Sequence, residues 1–128
     1  MININPEIVC AIIVRAREFQ AKEEVVIPEV PMSPADDWAL QVLADHKEDL
    51  SYQEAQSIVQ DLEPDQQAEL VALMWLGRGD YDLSEWESAV NEAEEQLTDH
   101  TAGYLLAHPM VADYLLEGLD QHGYSCEE

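Results

Sequence analysis

The chain has 128 residues, 47% of them apolar, and sets 28 Asp and Glu against five Lys and Arg, a formal net charge of −23. That length suits one domain with a real core, and the apolar share separates it from acidic disordered tails. So negative a surface repels nucleic-acid phosphates and anionic membranes and attracts cations and basic proteins, which removes direct nucleic-acid binding and membrane binding from the expected functions.

The asymmetry sharpens along the chain. No Lys or Arg follows Arg78, while residues 80–128 hold thirteen acids. No apolar run is long enough for a membrane span of about 20 residues, and the first is Ile8 to Val14. Arg15 and Arg17 follow that run, the reverse of a secretory signal, so the expected location is cytoplasmic. Cys10 lies inside the run and is predicted to be a buried thiol; Cys126 falls in the C-terminal tail. Two cysteines without a spacing pattern predict no disulfide framework.

Every strong periodicity is helical. Asn5-Pro6, an N-cap followed by proline, opens a helix to about residue 21 with Ile8, Val9, Ile12, Ile13, Ala16 and Phe19 inward. Because residues 8–14 are apolar almost all round, this helix is expected at the centre. Residues 23–32 hold two prolines and the β-branched Val25, Val26 and Ile27, which predicts an extended arm within residues 22–34. That arm needs cover, from its own domain or from a second subunit in a homodimer.

Ser33-Pro34 opens a second helix to about His46. Ser51 and Glu54 form a capping box, with Leu50 and Ala55 as its staple, for a third helix to about Leu62. Pro64 begins a fourth, expected to end at Gly77 in a left-handed cap and to pair with the first helix. Ser84 and Glu87 form another capping box for a fifth helix, with Trp86, Ala89, Val90, Ala93 and Leu97 inward. A short helix over about 101–107 and a last one over about 109–122, closed by Gly123, complete the chain. The expectation is all-α: a single domain, 1–128, of six or seven helices. It divides into a central N-terminal helix (1–21), a Pro-containing arm (22–34), a helical bundle (35–122) and a tail (123–128).

The string Ala68 to Asp80, ending Trp75-Leu76-Gly77-Arg78-Gly79-Asp80, resembles a bacterial family of uncharacterised proteins, the domain of unknown function 3775. Trp86, Thr101 to Leu106, Leu115 to Leu119, Gly123 to Cys126 and the N-terminal Val9 to Phe19 extend the likeness. The resemblance implies a bacterial, mostly helical protein and no activity, cofactor or partner.

The candidate sites are few. Arg78, between two glycines and beside Asp80 and Asp82, offers a planar donor fork for a carboxylate or phosphate, or ties helix ends together through those acids. His100, His108 and His122 lie within 23 residues of one another and are metal-ligand candidates, but no motif with metal-ligand spacing joins them. Trp75, Trp86, Tyr104 and Tyr114 are candidates to line a pocket between helices, against the alternative of ordinary core. No nucleophile elbow, phosphate loop or dinucleotide pattern occurs, so no catalytic residue and no cofactor is assigned, and the reading leans away from an enzyme. The favoured function is an acidic protein-interaction module with a basic partner. The alternative is a small-molecule- or metal-binding protein using the Arg78 loop or the His100–His122 region. A third reading makes the charge an adaptation to salt or solubility alone.

Overall fold

The computed structural model describes residues 2–22, 50–97, 101–106, 108 and 110–126. Among them every regular element is helical. The helices are α1 (Pro6–Lys22), α2 (Leu50–Gln60), α3 (Pro64–Arg78), α4 (Trp86–Gln96), α5 (Thr101–Leu106) and α6 (Val111–Gln121), with a 3-10 turn at Leu83–Glu85 ahead of α4. The all-α expectation holds, with six α-helices among the described residues. The predicted arm over 23–32 and the helix over 33–46 lie outside the described residues.

α1 starts as its sequence dictates. The Asn5 side chain accepts from the Glu7 amide at 2.9 Å, and Pro6 takes the first helical position. Val9, Ile12, Ile13, Ala16 and Phe19 are buried, but Val14 is 48% exposed, so α1 is one-sided rather than central. The central helix is α3. Its residues 68–76 are all buried, Glu69 included, because nearly every residue there is apolar and the helix has partners on all sides.

α3 packs chiefly on α6 and α4, and α6 in turn packs on α1; the expected pairing of α3 with α1 is replaced by one through α6. Two glycines explain this arrangement. A Cβ on Gly77 would stand 2.6 Å from the Tyr114 carbonyl carbon, with the Tyr114 oxygen closer still, and one on Gly118 would stand 3.1 Å from the Leu73 carbonyl carbon. The backbones of α3 and α6 meet there because neither residue has a side chain. Gly77 is therefore a contact residue inside the helix, not its cap. The helix runs one residue further, and Gly79, at φ 95°, takes the left-handed position instead.

Two capping expectations also shift. α2 already includes Leu50, so Ser51 is a buried residue of its first turn, and Leu50 is 64% exposed, which removes the proposed staple. Ahead of α4 the box is formed by Asp82 and Glu85, not Ser84 and Glu87, because three residues wind as a 3-10 turn before the helix opens at Trp86. The Ser84 hydroxyl donates to Asp82. A box absent from the expectations, Glu63 with Gln66, starts α3. Gln67 then donates to the carbonyls of Val59 and Leu62, fastening the end of α2 to α3.

Candidate functional site

Three clusters bring chemistry-bearing side chains together. The first lies at the C-terminal end of α3. The Trp75 indole N–H donates to the Tyr104 hydroxyl at 2.8 Å, both residues being buried, and Tyr81 stacks on Trp75 with centroids 6.0 Å apart. Arg78 donates from Nε and Nη2 to Asp80, and its Nη1 lies 3.0 Å from His108 Nε2. His108 Nδ1 is 2.9 Å from the Tyr104 carbonyl, which can only accept, so Nδ1 carries the proton and Nε2 accepts from the guanidinium. Burial pushes the Tyr104 phenol above its ordinary range, while hydrogen bonding from Trp75 and the charge of Arg78 pull the other way.

This network joins α3, α5 and the turn before α6. Each of the three guanidinium nitrogens of Arg78 has a partner within the fold. Asp82, the other acid of that loop, is used in the cap of the 3-10 turn. Of the pocket aromatics, Trp75 and Tyr104 fill space and bond each other. Tyr114 lies where its backbone meets Gly77.

The second cluster pairs Trp86 with His122, rings edge to face at 4.4 Å, and fastens the start of α4 to the end of α6. Burial lowers the His122 pKa below 6.5. His108 and His122 therefore serve different junctions, and His100 lies outside the described residues. Among the described residues no three His, Cys, Asp or Glu side chains converge to hold a metal ion.

The third cluster was not expected. Glu69 is 4% exposed in the middle of α3. Its carboxylate accepts from the Asn3 amide at 2.9 and 3.0 Å and from the Ile4 amide at 2.7 Å, which seats Ile2 and Ile4 in the core. A buried carboxylate is tolerable only when donors surround it, and two backbone amides supply them here. The signal was present: Glu69 is the one ionisable residue among the nine from Ala68 to Leu76.

The cysteine expectation is overturned. Cys10 and Cys126 form a disulfide, with Cα atoms 5.6 Å apart across 116 residues of sequence. The separation is ordinary for a bridged pair. Spacing carried no sign of it, because the pair is made by α6 lying along α1, a tertiary fact.

The family described as "Protein of unknown function (DUF3775)" matches residues 52–124. The chain belongs to this family. The matched part of the DUF3775 fold runs from α2 to the turn after α6. It contains Glu69, both helix-contact glycines and the Arg78 network, and stops short of both cysteines. No curated protein and no solved structure matches the chain. No helix among the described residues is long and apolar enough to cross a membrane.

Proposed function

We propose that this DUF3775 domain is a non-enzymatic interaction module that docks a basic protein on the face formed by residues 80–97. The observation that carries the reading is the charge placed there. Seven acids, Asp80, Asp82, Glu85, Glu87, Glu92, Glu94 and Glu95, occupy the stretch without one Lys or Arg. Ala89 and Ala93 take the inward face of α4, which leaves its acids outward. Among the described residues no ion pair joins Glu87, Glu92, Glu94 or Glu95 to a cation; the three arginines are paired with Glu18, Glu54, Asp113 and Asp80. The field reaches Tyr81, whose phenol is raised by burial first and then by Glu92, Asp80 and Glu85. Leu83, 45% exposed, and half-buried Trp86 supply apolar contact inside the acidic rim.

Such a face accelerates encounter with a basic partner and rejects acidic ones. The test uses the chain as bait in bacterial lysate at low and raised salt, beside a variant with Glu87, Glu92, Glu94 and Glu95 changed to Gln and a control with Glu7 and Asp61 changed to Gln. The reading expects a basic protein that is held by the wild type and control, released by salt and lost from the α4 variant. A partner held equally by the α4 variant, or none held by any bait, refutes it.

A further inference from the structure

The Cys10–Cys126 bond lies between two half-buried residues that border open surface. Each of the two cysteines borders a surface recess. One, of about 420 Å³, is lined by Pro6, Glu7, Cys10 and Ser125. The other, of about 450 Å³, is lined by Leu116, Glu117, Asp120, Tyr124, Ser125 and Cys126. We propose that Cys10–Cys126 is a reversible thiol–disulfide exchange site whose partner is a dithiol protein of the thioredoxin type. The inference does not depend on the partner reading above.

Exchange needs a thiolate approaching one sulfur while the other leaves. The first recess meets Cys10 and the second Cys126; the second, with apolar Leu116 and Tyr124 in its lining, is the one that suits a protein thiolate, which there attacks Cys126 Sγ. A new S–S bond forms to Cys126, the Cys10–Cys126 bond breaks, and Cys10 Sγ takes up the proton that the attacking thiol gave up. The reductant's second thiol then attacks the mixed disulfide and Cys126 leaves as a thiol. The dithiol protein ends as a disulfide, and two electrons and two protons have passed to the cysteine pair. The oxidised dithiol protein closes the bond by the same steps reversed.

Geometry favours Cys126 as the attacked atom for a second reason. Cys10 is fixed in α1, whereas Cys126 lies beyond the last helix, past Gly123 at φ 86°. A mixed disulfide at Cys126 therefore falls on a segment outside the helices, not within one. The lining also selects the reductant. Leu116 and Tyr124 offer apolar surface to a protein, while Glu117 and Asp120, with Glu7 across the bond, repel an anionic thiol such as glutathione.

The experiment incubates the oxidised full chain with reduced thioredoxin lacking its resolving cysteine and maps the covalent complex by peptide mass spectrometry. In parallel, wild-type thioredoxin and glutathione at equal thiol concentration are timed by alkylation. The complex is expected through Cys126. Thioredoxin is expected to be about 100-fold faster at low salt, and the glutathione arm alone to accelerate as salt screens the carboxylates. Reduction is expected to lower the Tm by roughly 10 °C, since the bond closes a very long loop. A Cys126→Ser chain is expected to give no complex. A complex joined through Cys10 overturns the assigned attack. A bond that resists thioredoxin in the native chain while the urea-unfolded chain is reduced overturns the exchange site, and two free thiols in the oxidised chain overturn the pair.

Discussion

Gly77→Ala tests the packing of α3 on α6 directly. On an exposed helical surface this change is favourable by about 1 kcal/mol, because alanine orders more cheaply than glycine. At Gly77 the new methyl would meet the Tyr114 carbonyl carbon at 2.6 Å and Cα at 2.9 Å. Carbon atoms in good contact stand about 3.5–4.0 Å apart, and the Tyr114 oxygen is nearer still, so the two helices must separate locally by roughly 1.5 Å. The obstacle is backbone, which cannot rotate aside as a side chain would. Overpacking of this kind costs about 1–3 kcal/mol, and the upper end applies here, so a net loss of about 2 kcal/mol remains after the propensity gain. For a domain of this size that lowers the Tm by roughly 6–12 °C. Gly118→Ala, with its nearest obstructing carbon at 3.1 Å, is expected to cost less. Both changes push the same helices apart, so the double variant should lose less than the sum of the two. Urea unfolding followed by circular dichroism and tryptophan fluorescence measures all three. A Gly77→Ala chain as stable as the wild type, or more so, would refute the close approach and with it the placing of α6 against α3.

Glu69→Gln replaces a carboxylate that accepts three short contacts with an amide whose NH2 cannot accept, and should cost about 2–3 kcal/mol. Hydrogen exchange at Asn3 and Ile4 should rise with it, and unchanged protection there would count against the tether. The Tyr52 phenol is pushed up to about 12 by burial. Its folded pKa lies above the unfolded value, so the stability it contributes is whole below pH 10 and is lost as pH rises from about 10 to 12, a loss of about 2–3 kcal/mol. Tyr52→Phe should flatten that part of the alkaline unfolding curve; an unchanged slope would refute the assignment. For His122 the folded pKa lies below the unfolded 6.5, so its contribution is present above pH 6.5 and is lost as pH falls through the folded value. NMR titration of the imidazole should give a midpoint below 6.5, and Trp86 emission should change over the same range.

The helices were legible wherever local chemistry decides them. Asn5-Pro6 and Pro64 start helices where expected, and the inward faces of α1 and α4 follow from 3.6-residue spacing alone. Boundaries slipped where two local solutions compete. Asp82 and Ser84 can each cap, and the 3-10 turn lets Asp82 win. Gly77 and Gly79 can each end α3, and only the crossing of α6 shows that Gly77 is needed for contact and Gly79 for its positive φ. What the sequence could not disclose is pairing over long separations. The Glu69 tether spans 65 and 66 residues, the disulfide 116, and the Arg78–His108 contact 30. Each depends on which helices become neighbours, and α6 lying between α1 and α3 settles all but the first.

The arginines show how this acidic chain uses its few cations. Arg15 reaches Glu54 from α1 to α2, and Arg17 reaches Asp113 from α1 to α6. Arg78 joins Asp80 to His108 at the end of α3. Exposed pairs such as the first two are worth little in isolation, about 0–1 kcal/mol each, so they do not hold the fold together. Their effect is on the distribution of charge: each described guanidinium is taken up at a junction between elements, and none is left to neutralise α4. The same core would stand with those acids replaced by neutral polar residues, since Ala89 and Ala93, not the carboxylates, make the helix contacts. Fold stability therefore gives no reason for the four acids of α4, Glu87, Glu92, Glu94 and Glu95, and the mutual repulsion of the seven over residues 80–97 opposes it. A purely solubilising coat would need charge but no particular place for it. Concentration beside an exposed Leu83, beyond the last arginine of the chain, is the observation on which the proposed docking face rests.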